Sequence, residues 1–317
     1  MKNTRIGIII LNYNGFKDTV ACVNSLKKSI DTDFEILLID NHSVIDEAAK
    51  LRKIFSEIEC IRTQKNLGFA EGNNVGIRYF LNKDDIHAIM LLNNDTEVSD
   101  NLISEMKVEV AGDKKVMVGV SIYAYKDHKR LDSQGVVLYK SFLANSAKED
   151  DLSFAPNGCC ALFHRNFFKD IAINNEYLDK DFFCYGEDVD IGIRGRLCGY
   201  KSRIVKSAQV FHKGSATAIT MSDFSVFYGH RNNVLYVFKS MPLWLLIKKL
   251  PYFIVGQIAT LVYYLKIRRP TIFMKAKWDS LKFLPRMIKK RKFVMRKRVI
   301  STRDLESYLD NKLFHAR

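Results

Sequence analysis

Three apolar runs in this chain end in amides and carboxylates. Ile6–Leu11 runs into Asn12-Tyr13-Asn14-Gly15, Glu35–Asp40 into Asn41-His42-Ser43, and Ala88–Leu92 into Asn93-Asn94-Asp95. Taken singly each is a turn, because Asn and Asp bond nearby backbone. Three on one edge predict a rim that holds a cation and the phosphates attached to it. A second constellation lies in DFFCYGEDVDIGIRGRLCGY, residues 181–200, where Glu187, Asp188 and Asp190 crowd the start of a helix. Acids in a first turn are stabilised by the helix dipole, so capping accounts for Glu187 and Asp190 as well as function does. Asp188 follows an aromatic stretch that would set it against a pocket wall, where a carboxylate can take a proton from a hydroxyl. AQVFHKGSAT places His212 at another strand end. A lone His is usually structural. Beside Asp95 it would complete a mixed oxygen and nitrogen site for Mn2+ or Mg2+.

The elements that position these residues alternate. Strands are expected at Ile6–Leu11, Glu35–Asp40, Glu59–Arg62 and His87–Leu92, and helices near Phe16–Lys28, Asp46–Ser56 and Ala70–Leu81. That order predicts a parallel sheet covered on both faces, with ligands at the carboxyl ends of its strands. Between the rims lies NLGFAEGNNVG, Asn66–Gly76, whose glycines allow close backbone approach and whose asparagines can bond a ligand. It fits neither GxGxxG nor the P-loop. Later the pattern loosens. A helix is expected near Leu102–Val110, strands near Val116–Tyr123, Gln134–Leu138 and Cys160–His164, a loop over Ala144–Pro156, and a helix near Arg165–Ile171.

The basicity of the chain is local. Of its net +15, the segment Lys239–Arg298 carries 17 Lys or Arg against the single acid Asp279, and the rest sums to −1. Within that segment Leu250–Leu265 has 16 uncharged residues, short of the roughly 20 a spanning helix needs. Cations interleaved with Trp278, Phe283, Met287, Phe293 and Met295 suit helices lying on an anionic membrane surface. A helical subdomain with a solvated basic face, or a homodimer contact, uses the same residues. A nucleic-acid arm is disfavoured, because long aliphatic runs add nothing to phosphate contacts. We therefore expect a body over 1–238 and a basic amphipathic helical region over 239–317. The start of the chain lacks a signal-peptide pattern, which points to a cytoplasmic body. The six cysteines show no CxxC spacing, so neither zinc nor a disulfide framework is expected.

Together, IIILNYNG, LLIDNHS, NLGFAEGNNVG, LLNNDTEV, DFFCYGEDVDIGIRGRLCGY and VFHKGS resemble the inverting family-2 glycosyltransferases of the GT-A fold, within them the rhamnosyltransferase-like branch. The motifs occur in family order from Ile6 to Ser215. The resemblance implies an α/β GT-A domain, a Rossmann-like mixed sheet flanked by helices, followed by a basic, membrane-associating helical tail. It implies a dTDP- or UDP-linked sugar donor, rhamnose first, and a lipid-linked glycan acceptor at the inner face of the cell membrane. By position Asp40 would bond the base. Asn12, Tyr13, Asn14, Asn66, Gly68, Asn74 and Asn94 would cradle the nucleotide. Asn93-Asn94-Asp95 takes the place of the DxD motif, with Asn93 where the first acid would stand and Asp95 as metal ligand beside His212. Asp188 would be the base, with Glu187, Asp190, Tyr185 and Arg194 on the acceptor side or supporting it. Two rivals remain: a nucleotidyltransferase, which would want a basic Gly-rich loop after the first strand, and a membrane-bound nucleotide-sugar scaffold without turnover.

Overall fold

The computed structural model describes residues 4–149, 152–214 and 222–314; Ser215, the last residue of the VFHKGS motif, lies outside them. β1 (Ile6–Asn12), α1 (Phe16–Leu26), β2 (Phe34–Asp40), α2 (Glu47–Ile54), β3 (Glu59–Arg62), α3 (Gly68–Leu81) and β4 (Ala88–Asn93) alternate as expected. Next come β5 (Thr96–Val98), α4 (Leu102–Gly112), β6 (Val116–Ala124), β7 (Asp127–Ser133), β8 (Val136–Leu138), β9 (Ala144–Ser146), β10 (Cys160–His164) and α5 (Arg165–Ile171). A 3-10 turn over Lys180–Phe182 precedes α6 (Glu187–Leu197) and β11 (Lys201–His212). The chain then becomes helical in α7 (Asp223–Ser240), α8 (Leu243–Lys266), α9 (Pro270–Arg296) and α10 (Thr302–Ser307).

The sheet runs β3-β2-β1-β4-β10-β6-β11-β5, with β7 on β6. Its first four strands are parallel, but β10 is antiparallel to β4 and β6, and β5 to β11. The sheet is therefore mixed, not wholly parallel. Strands β1 and β4 are almost wholly apolar because helices cover both faces. Glycines of the Asn66–Gly76 segment serve that covering: a Cβ on Gly72 or Gly76 would strike Leu11 or Ile9 at 2.7 and 2.8 Å, so α3 lies directly on β1. Those two glycines let a helix approach, not a ligand. β7 escaped the sequence reading because DHKRLDS is largely exposed and has no apolar alternation, and β9 lies inside the stretch expected as loop.

Register brings the polar ends together. Asn12 pairs with Asp40, Leu11 with Asn93, and Leu92 with Cys160, so β1, β2, β4 and the start of β10 share one edge. His212 pairs with Thr96 at the end of β11. A second core is built by α6 to α10 with β8. The expected boundary at 238 falls inside α7, whose Lys239 is fully buried against Asp179 and Asp190 (both 2.7–2.8 Å). On the outside of α8 and α9, Leu243, Trp244, Ile258, Met274, Trp278 and Ile288 are more than half exposed. α8, a single helix of 24 residues, is long and apolar enough to cross a membrane.

Candidate active site

Asp95 closes the two-residue turn between β4 and β5, and His212 ends β11. Their side chains meet, with His212 Nε2 3.2 Å from Asp95 Oδ1. Backbone geometry holds the meeting in place. Lys213 N donates to Asp95 O (3.0 Å), and Lys213 Nζ reaches Asp18 Oδ1 on α1 (2.9 Å). Asp95 Oδ2 and Asn93 Oδ1 are buried without a hydrogen-bond partner, and the approach of His212 Nε2 to Asp95 Oδ1 lacks hydrogen-bond geometry, so that nitrogen is unsatisfied too. Buried polar atoms ordinarily find partners. A carboxylate oxygen, an imidazole nitrogen and an amide oxygen left unsatisfied are atoms of the types Mn2+ or Mg2+ accepts, and they fit such an ion. Among the described residues no three His, Cys, Asp or Glu side chains gather into a metal cluster, so Asp95 and His212 would need further oxygens from a ligand.

Asp188 stands beside this edge. Asn93 N donates to Cys159 O (2.9 Å), and one residue earlier Gly158 N lies 3.4 Å from Asp188 Oδ2. Val189 N donates to Asp188 Oδ1 (2.8 Å). Burial raises the Asp188 carboxyl, and the amides of Val189 and Gly158 only partly offset it. Burial, and then the Asp188 charge, raise Glu187 as well, whose Oε2 is a further orphan. Two adjacent carboxyls with raised pKa are candidates for acid–base chemistry.

The expected nucleotide residues divide. Tyr13 and Asn14 are exposed at the edge, and Asn66 and Asn94 are half-buried. Asn94 Nδ2 donates to Thr19 Oγ1 (3.0 Å), which ties the β4 turn to α1. Asn14 accepts from Val44 N (2.9 Å) and so ties the first rim to the second. Asp40 is placed otherwise than expected. Fully buried, it accepts from Ser43 N (3.0 Å), Ala48 N (3.3 Å) and Arg62 Nη1 (3.2 Å), so it braces the loop beneath the rim and offers no free oxygen to a base. Asn74 is also fully buried and clamps Leu178 through both its O and its N. Asn12, at 0% exposure, joins Glu47, Thr19 and Gly15. Gly68 adopts φ +73 where a Cβ would meet Phe183 O at 2.4 Å. It supplies a backbone conformation instead of a ligand contact.

On the Asp188 side, Asp190 and Arg194 turn inward. Arg194 bonds Asp190 Oδ2 (2.7 and 3.0 Å) and the carbonyls of Ile171 and Tyr177. They support α6 and do not face the cleft. Tyr185 sits half-buried at φ 67, packed near Phe224. Asn41, part of the second polar strand end, bonds Asn66 and Gly68 O, while Arg231 and Asn232 on α7 had no place among the expected site residues. The only signal in sequence is the Arg231-Asn232-Asn233 run ahead of the apolar Val234–Phe238 stretch of α7. From His212 a cleft of about 890 Å³ runs along Tyr125, Arg130, Tyr139 and Lys148.

Known proteins share this architecture. The curated relative "Low-salt glycan biosynthesis hexosyltransferase Agl10" of Haloferax volcanii is 26% identical over 208 residues, 60% of this chain and 61% of its own length. The chain thus spans less than two thirds of that relative. S. aureus TarS 1–349, solved in complex with UDP-GlcNAc, superposes with a TM-score of 0.61 at 13% identity, covering 96% of this chain and 89% of that one. GalNAc-T7, solved with UDP, GalNAc and Mn2+, gives 0.62 at 16% identity over 80% of this chain and 50% of its own. Both likenesses concern the fold, which is GT-A. The profile of "Glycosyl transferase family 2" matches residues 7–172, more than half of the chain, and the chain belongs to that family.

Proposed function

We propose that this protein transfers a sugar, rhamnose first, from a dTDP- or UDP-linked donor to a hydroxyl of a lipid-linked surface glycan, with inversion at the anomeric carbon. One observation carries the reading: the Asp95–His212 pair, with Asp95 Oδ2 unpartnered, and Asp188, whose carboxyl is raised by desolvation, adjoin the same sheet edge, Asp188 through Gly158 N beside the Asn93–Cys159 bond. The acceptor oxygen bonds the anomeric carbon while the bond to the diphosphate breaks, its electron pair leaving with the nucleoside diphosphate. Asp188 takes the hydroxyl proton, and its raised pKa makes it a better base than an exposed carboxylate. One displacement needs one carboxylate, and the absence of a covalent intermediate inverts the centre. Asp95 and His212 would hold Mn2+ or Mg2+ together with the diphosphate oxygens. When bound, the ion stabilises the negative charge developing on the leaving group. Tyr13, Asn14, Asn66 and Asn94 border the nucleotide, and the cleft beside His212 gives the acceptor a lane.

The same reading places α8 and α9 on the anionic inner face of the cell membrane. Exposed Trp244 and Trp278 would enter the interface, and the neighbouring lysines and arginines would meet the headgroups. The test is thermal stabilisation by UDP, dTDP and GDP, each with Mn2+ and with EDTA. A midpoint that rises with one pyrimidine diphosphate and falls back in EDTA supports the donor site. No rise with any nucleotide overturns it.

A further inference from the structure

The turn before Asp188 is strained. Phe183 adopts φ 63, ψ −62, and Cys184 N donates to Phe182 O (2.7 Å), which closes a γ-turn of the rare, strained hand. Tyr185 (φ 67) and Gly186 (φ 79) follow, so three of four residues leading into α6 have positive φ. Non-glycine residues persist in such conformations only where their surroundings over-determine them, and they cluster at functional sites. Here α7 supplies the surroundings. Asn232, fully buried, points its amide nitrogen at Phe182 O, Cys184 O and Tyr185 O (2.9, 2.8 and 2.7 Å). Arg231 Nη2 donates to Asp181 O and Phe182 O (2.6 and 2.9 Å), and its Nε orients Asn232 through Oδ1 (2.9 Å). From the other side, the amides of Phe69 and Ala70 at the start of α3 donate to Phe183 O (2.6 and 3.2 Å). α9 backs the assembly: Asp279 lies 3.6 Å from Arg231 Nη1, while Arg286 and Lys290 pair with Asp181.

We propose that Asn232, braced by Arg231, is a positioning residue for Asp188: it holds the Phe182–Gly186 turn in its strained form and so fixes where the first turn of α6 presents the carboxylate. The inference rests on the reading of Asp188 as the base. It makes the C-terminal helices part of the mount for the reacting group, and α9, with Trp278 exposed beside Asp279, joins that mount to the outer apolar face.

Asn232→Ala and the milder Arg231→Lys test it, with hydrolysis of UDP-GlcNAc, UDP-glucose and dTDP-rhamnose as turnover probes and water as acceptor. The expected result for Asn232→Ala is a fall in kcat on the order of 10–100-fold with little change in donor KM, as for a sub-ångström to ångström displacement of a reacting group. Its pH profile should change as well. Asp188 works ionised, so activity rises with pH through its pKa; a relaxed turn admits water and moves that limb to lower pH. The titratable groups facing Asp188 are Glu187 on α6, Cys184 in the turn and Tyr236 on α7, and all remain in the variant. A merely destabilising change would scale activity without moving the limb. Hydrogen exchange across residues 181–188 gives a readout free of chemistry: it should speed up in Asn232→Ala. Unchanged exchange overturns the clamp, and faster exchange with wild-type kcat and an unmoved limb overturns the positioning role. A wild-type protein that turns over no donor and shows no nucleotide shift sinks the functional reading instead, and exchange still judges the clamp.

Discussion

Replacing Asp190 by Asn probes the join between α6 and the C-terminal helices. Asp190 and Lys239 are at 0% exposure and Arg194 at 2%. Asp190 Oδ2 receives two bonds from Arg194, and Oδ1 meets Lys239 Nζ (2.8 Å) and Ser240 Oγ (3.0 Å). Asparagine keeps one acceptor oxygen but turns an NH2 toward a buried cation. Removing one partner of a buried pair costs about 3–5 kcal/mol, because the remaining charge stays desolvated. Lys239 keeps Asp179 (2.7 Å), which places the loss toward the lower end of that range. At about 2 °C per kcal/mol for a chain of this size, a loss of about 3–4 kcal/mol should lower the midpoint by roughly 6–8 °C. Differential scanning fluorimetry in the presence of saturating nucleotide reads it, and the folded variant should still bind nucleotide, since Asp190 does not face the cleft. Asp190→Leu combined with Arg194→Met should lose less than either single change, because buried ions replaced together leave no unpaired charge. A single variant within 2 °C of wild type would refute the idea that this triad is a buried structural join.

Three further outcomes follow from the same geometry. Gly68→Ala must hold φ +73 with its Cβ against Phe183 O, so it should lose about 2–4 kcal/mol in denaturant unfolding through αL strain and the two amide bonds to that oxygen. Burial lowers His230 to about 3 and His164 to about 4, so both are neutral when folded and the unfolded chain takes up their protons first. Stability from these two groups should therefore be complete above about pH 6.5 and fall between there and about pH 3; the slope, read by thermal midpoint, should flatten in His230→Gln. Trp244→Ser with Trp278→Ser should cut sedimentation with phosphatidylglycerol-containing vesicles on the order of tenfold, and high salt should weaken the remainder; unchanged binding would remove the membrane from the account.

What the sequence shows, it shows through pattern. The strands β1, β2 and β4 are legible because covering on both faces demands unbroken apolar runs, and their polar ends follow from that. β7 is illegible because an exposed edge strand needs no apolar residues. Within the site, residue type announced a functional edge but not the direction of each side chain. Asp40 and Asn74 look like ligand contacts in sequence, yet both point inward, because loops at a sheet edge need buried polar braces as much as ligands need partners. The Arg231–Asn232 clamp was hidden for the opposite reason. Its partners are carbonyls some 50 residues away, and carbonyls leave no trace in residue type.

The most direct test of the account is turnover by Asp188→Asn, measured beside its nucleotide-dependent thermal shift. Asparagine keeps the size of Asp188 and one acceptor oxygen for Val189 N, gives up the weaker contact with Gly158 N, and cannot take a proton. The account predicts a pyrimidine-diphosphate shift like that of wild type and a fall in turnover of about 10²–10⁴-fold, the range lost with a general base. Turnover equal to wild type would contradict the assignment of Asp188 and with it the chemistry proposed for this edge.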